Sequence, residues 1–294
     1  MYRGTFTALV TPFLADGSVD EAAFRRLVDF QFENGVTGIV PVGTTGESPT
    51  LSYDEHNHVI CLAVDAAKGR GPVIGGTGAN STDEAIELTE AAEAAGCEAV
   101  LQVAPYYNKP SAEGHFQHFR AVAESTSCKV ILYSVPGRCG IDIPVEVTAR
   151  LAAACPNVVC LKEAGGSVER VNQLMAAGLP DYFTILSGDD SLTLPFMSVG
   201  ATGVISVASN VIPRQMSDLV KAALANDLPA ARDLHLRYYP LLSTLMKLDS
   251  NPVPIKAAMA LAGHMEGGLR LPMIAMDRVK IDELHTVMTS LNVL

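Results

Sequence analysis

The chain has 294 residues, of which 48% are hydrophobic, enough for one barrel of about 250 residues with a short extension. Its formal net charge is −11 and its pI is about 5.0. Because nucleic acids and anionic membrane surfaces are bound mainly through lysine and arginine, this balance excludes both as expected partners. No apolar run reaches the roughly 18 residues that span a bilayer.

The six cysteines are scattered, and no Cys-x-x-Cys pair occurs. This spacing matches no zinc site, and we interpret the cysteines as reduced core thiols, with a reactive thiol as the alternative. The first residues, MYRGTFTALVTPF, lack the charged start and the apolar stretch of a signal peptide. We therefore expect a cytoplasmic protein.

Eight short apolar segments rich in β-branched residues recur at intervals of about 25–35 residues, the length of a βα unit. Strands are predicted over Phe6–Val10, Gly38–Val42, Pro72–Gly75, Ala99–Val103, Val130–Ser134, Val158–Lys162, Phe183–Ser187 and Gly203–Val207. Strands that are apolar on both faces and alternate with helices are typical of a parallel sheet.

Helical patterns lie between these segments. Residues 20–34 begin with acidic residues and carry apolar residues at helical spacing. Residues 81–95 begin with the capping-box pattern Ser81-x-x-Glu84 and end before Gly96, a helix-terminating residue. Eight βα units close most simply into a (β/α)8 barrel. The alternative is an open doubly wound sheet, but no Gly-x-Gly-x-x-Gly motif follows the first predicted strand.

The pattern changes after the eighth predicted strand. From about residue 213 to residue 294 the sequence is almost wholly helical in character, with no further strand. We assign residues 1–224 to the barrel and residues 225–294 to a small C-terminal helical extension.

A barrel of this kind carries its active site at the carboxyl ends of its strands. The second predicted strand leads into Gly43-Thr44-Thr45-Gly46-Glu47-Ser48. Its glycines let the backbone approach a ligand closely, and its two adjacent hydroxyls can bind a carboxylate and transfer a proton. Taken alone, the motif also fits an ordinary capped turn.

Aromatic and basic residues follow the next strand ends. The fourth strand leads to Tyr106 and Tyr107, and the fifth ends at Tyr133, with Arg138 in the loop behind it. Paired tyrosines can simply pack, and an isolated arginine is more often part of a surface ion pair. Arg138 nevertheless suits a substrate carboxylate, because its planar guanidinium binds carboxylates through two hydrogen bonds.

Lys162 is the strongest indication of chemistry, because it closes the continuous apolar segment Val158–Leu161. Buried lysines are rare, and burial favours the neutral amine, which forms an imine with a ketone. Since side chains alternate along a strand, Lys162 should point into the barrel and Glu163 away from it. The alternative is a structural lysine paired with Glu163.

Two histidine pairs, His56 with His58 and His115 with His118, have no His-Glu-x-x-His pattern around them. We interpret them as solvated residues and predict no metal site.

Together these motifs resemble the dihydrodipicolinate synthase and N-acetylneuraminate lyase superfamily. The resemblance is carried by Gly43–Ser48, Tyr133-x-x-Pro136-x-Arg138 and Leu161–Ala164, and it extends over essentially the whole chain. It is strongest to the synthases, and it implies a barrel lyase that condenses pyruvate with L-aspartate 4-semialdehyde in lysine biosynthesis. It implies no cofactor, because the iminium ion itself accepts electrons.

The resemblance also implies residue roles. Lys162 is expected to form the pyruvate imine, and Tyr133, Thr44 and Tyr107 to form a proton relay. Tyr107 is expected to come from a neighbouring subunit of a homo-oligomer, at least a dimer and more specifically a tetramer.

The implied substrate contacts lie around this relay. Thr45 is expected to hold the pyruvate carboxylate, Arg138 the carboxylate of the semialdehyde, and the backbone of Gly188 and Ile205 to lie near the imine. Another pyruvate-dependent aldolase of the superfamily, such as a 2-keto-3-deoxy sugar acid aldolase or N-acetylneuraminate lyase, is the alternative, since it would not need Arg138. A catalytically silent barrel that senses a small molecule is a second alternative.

Finally, the resemblance implies feedback inhibition by L-lysine. Glu84 suits the α-ammonium group of lysine, and His56 with Ser48 suits its ε-ammonium group. The matching positions are Ser48, Pro49, Tyr53, His56, Asn80, Glu84 and Tyr106.

Overall fold

The computed structural model describes residues 1–294 as a ring of eight parallel strands surrounded by helices. The strands are β1 (Gly4–Ala8), β2 (Gly38–Val40), β3 (Ile74–Gly76), β4 (Ala99–Val103), β5 (Lys129–Ser134), β6 (Val158–Glu163), β7 (Thr184–Ser187) and β8 (Gly203–Ser206). They pair in the order β2-β1-β8-β7-β6-β5-β4-β3. A parallel bridge between Ile39 and Val73 brings the two ends of this order together, so the sheet closes into a barrel.

The predicted (β/α)8 architecture is confirmed, and every predicted segment overlaps a strand. The largest offset is at β1, which begins and ends two residues before the predicted Phe6–Val10. The limits of β1 are set by its pairing, because only its residues Gly4 to Ala8 have partners in β8 or β2. Leu9 and Val10 continue the apolar run beyond the ladder, and apolar character alone could not locate that end.

Helices cover the outside of the barrel and form the C-terminal part of the chain. They are α1 (Glu21–Glu33), α2 (Tyr53–Ala67), α3 (Thr82–Ala94), α4 (Ala112–Glu124), α5 (Pro136–Cys139), α6 (Val145–Ala154), α7 (Val168–Met175), α8 (Thr193–Ser198), α9 (Pro213–Leu224), α10 (Leu228–Lys247), α11 (Val253–Leu261) and α12 (Arg278–Ser290). None of them is both long enough and apolar enough to cross a lipid bilayer.

The capping-box prediction for α3 is wrong in its detail. Ser81 does precede the first helical residue, but its hydroxyl makes no capping hydrogen bond. A complete capping box occurs instead at α2, where Ser52 Oγ accepts from Glu55 N and the Glu55 carboxylate accepts from Ser52 N. The Ser-x-x-Glu pattern permits the box, but only the local backbone geometry decides whether it forms.

The C-terminal part contains α10, α11 and α12, with a non-helical stretch over residues 262–277 between the last two. The predicted division at residues 224 and 225 falls in the turn between α9 and α10. One hydrophobic cluster nevertheless joins barrel residues such as Phe6 to Leu241, Met259 and Leu284 of the C-terminal helices. The division of the chain into a barrel and a separate C-terminal unit therefore remains a prediction.

The exposure of the four histidines differs from the prediction that all of them are solvated. His56, His115 and His118 are buried, whereas His58 is exposed and contacts the Glu21 carboxylate at 2.7 Å. The interpretation of all four as solvated residues is therefore wrong, because helical position alone did not show which face packs inward. All six cysteines are free thiols, and five of them are buried.

Candidate active site

Tyr133 and Lys162 lie side by side where β5 and β6 end. Their Cα atoms are partners in the parallel ladder, and Lys162 Nζ lies 4.1 Å from the centre of the Tyr133 ring. The two residues are only 6% and 5% exposed. Gly188, just after β7, packs against Lys162, because a Cβ atom there would approach Lys162 Cε to 3.1 Å. Glycine at this position leaves room for the lysine side chain.

The Lys162 ammonium group has no carboxylate partner within 4.0 Å, so pairing with Glu163 does not occur. Glu163 is fully buried and bonds away from Lys162, accepting from Gly165 N at 2.7 Å and from Arg170 Nε at 2.8 Å. Burial raises the pKa of the Glu163 carboxyl, against the opposing effect of Arg170. The alternation of side chains along β6 thus leaves Lys162 without a counter-ion.

The turn after β2 presents unpaired backbone donors. Gly46 N donates to Gly43 O at 3.0 Å and closes the turn, while the N–H groups of Thr44 and Thr45 have no acceptor within the chain. A Cβ atom on Gly46 would lie 2.8 Å from Val42 N, so the turn requires glycine there. Adjacent N–H groups without an acceptor in the chain are suited to binding an anion.

A second buried lysine contacts the turn Gly43–Ser48 through Glu47. Lys256 of α11 is fully buried, donates to Thr11 O at 2.8 Å and forms an ion pair with Glu47. Burial lowers the pKa of Lys256, although Glu47 favours its charged form. Lys256 is not among the predicted site residues, although a single charged residue within the apolar helix Val253–Leu261 is the same signal that marked Lys162.

Asn251, which is also not among the predicted site residues, contacts both Arg138 and Thr45. Arg138 is exposed, and its Nη2 donates to the backbone oxygen of Asn251 at 3.0 Å. The Asn251 side chain donates from Nδ2 to Thr45 Oγ1, also at 3.0 Å. These partners are 113 and 206 residues away in sequence. No local pattern marks such a residue.

Tyr107 and Ile205 have opposite environments. The side chain of Tyr107 is 90% exposed, and its backbone has a φ of +71°, which is unusual for a residue other than glycine. One chain therefore does not bury Tyr107 beside Tyr133. Ile205 is fully buried in β8, where it pairs with Phe6 of β1.

One cavity of about 600 Å³ lies next to these strand ends. It is lined by three of the predicted catalytic and substrate-binding residues, Thr44, Tyr133 and Arg138. It is also lined by six of the seven positions predicted for lysine, which are Ser48, Pro49, Tyr53, His56, Glu84 and Tyr106. Lys162, Thr45, Tyr107, Gly188 and Ile205 are not among the residues that line it. The predicted lysine site is therefore continuous with the part of the predicted active site formed by Thr44, Tyr133 and Arg138.

The groups at the predicted lysine-binding end of this cavity also interact with their neighbours in the chain. His56 Nε2 lies 2.9 Å from Gly76 O, and burial lowers the pKa of His56. The nearby Glu84 carboxylate raises the pKa of the Tyr53 phenol. Asn80, which lies outside the lining, donates from Nδ2 to the backbone oxygen of Tyr106 at 3.2 Å.

Comparison with known proteins agrees with this geometry. The sequence model of the Dihydrodipicolinate synthetase family matches residues 1–291. The chain belongs to this family. A 4-hydroxy-tetrahydrodipicolinate synthase of Persephonella marina is 47% identical over 289 residues, which are 98% of each chain.

Solved structures of the dihydrodipicolinate synthetase family have the same fold. The 4-hydroxy-tetrahydrodipicolinate synthase of Methylacidiphilum fumariolicum SolV is 50% identical and has a TM-score of 0.97 over 99% of this chain and 96% of that one. The enzyme of Cyanidioschyzon merolae, whose structure has lysine bound, is 39% identical and has a TM-score of 0.96 over 100% and 99% of the two chains.

Proposed function

We propose that this enzyme is a Schiff-base lyase that condenses pyruvate with L-aspartate 4-semialdehyde to 4-hydroxy-tetrahydrodipicolinate in lysine biosynthesis. The observation that carries the proposal is Lys162, buried at the carboxyl end of β6, beside Tyr133 and without a carboxylate partner. Family membership over residues 1–291 supports the same reaction.

Lys162 acts as the nucleophile. Its neutral amine attacks the ketone carbon of pyruvate, and loss of water gives an imine whose protonated form withdraws electrons from the methyl group. Loss of a methyl proton gives an enamine, which forms a carbon–carbon bond with the aldehyde. Attack of the semialdehyde amino group on the imine carbon then closes the ring and releases Lys162. The other buried lysine, Lys256, is unsuited to this role because it is paired with Glu47.

Tyr133, Thr44 and Tyr107 transfer the protons in these steps. Each step moves a proton to or from nitrogen, carbon or oxygen, and a lone phenol with a usual pKa near 10 is a slow acid and base at neutral pH. A series of hydrogen-bonded hydroxyl groups makes proton transfer faster, because each group donates one proton as it accepts another. Tyr133 is in position beside Lys162, and Thr44 lines the same cavity.

The two substrate carboxylates bind at different ends of the site. The pyruvate carboxylate binds at Thr45, where the free N–H groups of Thr44 and Thr45 supply donors. The semialdehyde carboxylate binds Arg138, which is exposed and lines the cavity. Gly188 and Ile205 bound the space around the imine, Gly188 by its contact with Lys162.

The active unit is a homo-oligomer, with a tetramer as its complete form. The support is Tyr107, whose 90% exposed side chain and left-handed backbone suit a residue that is held by a second subunit rather than by its own. A dimer that exchanges Tyr107 side chains completes both relays.

L-lysine is the proposed feedback inhibitor, bound at the end of the cavity near His56 and Glu84. Glu84 supplies a carboxylate for the α-ammonium group, and His56, whose pKa is lowered by burial, remains neutral and tolerates a nearby cation. The continuous cavity supports coupling between this end and Tyr133. The lysine-bound structure of the Cyanidioschyzon merolae enzyme supports the choice of ligand.

A single assay tests the reaction. The enzyme is incubated with pyruvate and L-aspartate 4-semialdehyde, and product formation is followed through the reductase that consumes it. N-acetylneuraminate and 2-keto-3-deoxy sugar acids are tested in parallel for cleavage. A higher kcat/KM for either sugar acid than for the semialdehyde would contradict the proposal and favour the alternative aldolases.

A further inference from the structure

Asn251 lies between α10 and α11 and contacts residues that serve the two substrates. Its backbone oxygen accepts from Arg138 Nη2 at 3.0 Å, and its side-chain Nδ2 donates to Thr45 Oγ1 at 3.0 Å. Asn251 and Thr45 are only 6% and 3% exposed. A buried residue of the C-terminal part is therefore hydrogen-bonded directly to the turn that presents the pyruvate-binding donors.

The direction of the hydrogen bond to Thr45 matters. A threonine hydroxyl has one hydrogen to donate and two lone pairs with which to accept. Because Asn251 Nδ2 is the donor, Thr45 Oγ1 accepts and keeps its own hydrogen for another partner. Thr45 Oγ1 has no second partner within the chain. An anion held by the free N–H groups of Thr44 and Thr45 would be the natural acceptor.

The surroundings hold Asn251 in this geometry. Lys256, five residues further along the same segment, binds Glu47 of the same turn, so the segment and the turn are joined at two points. The Asn251 Oδ1 atom is buried and accepts no hydrogen bond. The contact with Thr45 is therefore the only hydrogen bond of the Asn251 amide group within the chain.

We propose that Asn251 is a positioning residue that directs the Thr45 hydroxyl hydrogen toward the carboxylate of pyruvate. This inference rests on the proposed function, which assigns pyruvate to Thr45. Arg138 contacts only the backbone of Asn251, so substitution of the side chain should leave the semialdehyde site in place.

The test compares Asn251→Ala with Asn251→Asp. Removal of the amide should raise KM for pyruvate roughly 3- to 10-fold, the range for one hydrogen bond, with kcat and KM for the semialdehyde changed less than roughly twofold. Aspartate has the same shape but only accepts, so it should draw the Thr45 hydrogen away from pyruvate and raise KM further than alanine does. Retention of the normal KM for pyruvate by Asn251→Asp would show that the amide does not act as a donor and would overturn the proposal.

A double-mutant cycle with Thr45→Val shows whether Asn251 acts through Thr45. If it does, adding Asn251→Ala to Thr45→Val should not raise KM for pyruvate further. Multiplication of the two effects would mean that Asn251 acts independently and would refute the inference. If Thr45→Val alone left KM unchanged, the assignment of pyruvate to Thr45 would be wrong, which separates failure of the proposed function from failure of this inference.

The matched control is Asn157→Ala. Asn157 also donates from its side-chain amide, in this case to the backbone oxygen of Ala123 at 2.9 Å, but it lies just before β6, at the opposite end of the barrel. Its substitution should lower the thermal unfolding midpoint without a change in KM for pyruvate. An equal rise in KM for both asparagine variants would indicate a general loss of structure and would count against Asn251.

Discussion

Lys162 and Tyr133 occupy partner positions on β6 and β5, with Lys162 Nζ 4.1 Å from the centre of the Tyr133 ring. This arrangement places an amine without a counter-ion beside a phenol at the carboxyl edge of the barrel.

Lys162 should be the residue that pyruvate modifies. Treatment with pyruvate and borohydride should give one adduct per subunit, identified by mass spectrometry on the peptide that contains Lys162. Lys162→Ala should abolish the adduct, whereas Lys129→Ala, at the exposed amino end of β5, should form it normally. An adduct on Lys256 would contradict the assignment of the nucleophile.

Arg138→Ala should impair use of the semialdehyde much more than imine formation with pyruvate. A charge-assisted, two-point contact with a carboxylate contributes about 1.5–3 kcal/mol, which corresponds to a roughly 10- to 150-fold rise in KM for the semialdehyde. Arg138→Lys keeps the charge and should recover only part of the loss, because its single ammonium group cannot form both bonds. Steady-state kinetics with each substrate varied in turn measures the effect. Unchanged KM for the semialdehyde would exclude Arg138 as its binding residue.

Tyr107 should act across a subunit interface. Tyr107→Phe and Lys162→Ala subunits should each be nearly inactive alone. After dissociation and reassembly, a mixed dimer should contain one site with both Lys162 and Tyr107 intact. Activity should therefore return in proportion to the amount of mixed dimer. Inactive mixed dimers, verified by mass spectrometry, would refute the sharing of Tyr107.

L-lysine should inhibit the enzyme, and Glu84→Gln should relieve the inhibition. Coupling between two sites is typically 1–3 kcal/mol, so saturating lysine should weaken substrate use by roughly 5- to 150-fold. Initial rates and calorimetry give the inhibition and the binding. Glu90→Gln, an exposed carboxylate on the same helix α3, should respond to lysine normally. Absence of both heat and inhibition at roughly 10 mM lysine would rule out the site.

His118 should make the folded enzyme sensitive to acid. Burial, with a smaller contribution from His115, lowers the pKa of His118 to about 4, while in the unfolded chain it is near 6.5. Between these values the unfolded chain binds more protons, so stability falls as pH decreases from about 6.5 toward 4, by roughly 2–3 kcal/mol in total. His118→Asn should flatten this decline in thermal unfolding midpoints. The exposed His58→Asn should not, and an unchanged decline in His118→Asn would assign the acid sensitivity to other groups.

The sequence determined the architecture because the signals for it are local. Eight apolar segments at βα spacing lie where the strands form, and Lys162 stands out because it is the polar end of such a segment. The sequence also identified the turn Gly43–Ser48, whose glycine requirement is a property of its own backbone.

Only the tertiary structure could decide which distant residues support the site. Asn251 and Lys256 reach Thr45 and Glu47 across more than two hundred residues of chain, and no periodicity encodes such a contact. The burial of His118 likewise depends on the helices packed around α4, and not on its own spacing. Strand positions follow from local composition, whereas contacts between strand ends and the C-terminal helices follow from barrel closure, which brings together groups that the sequence keeps apart.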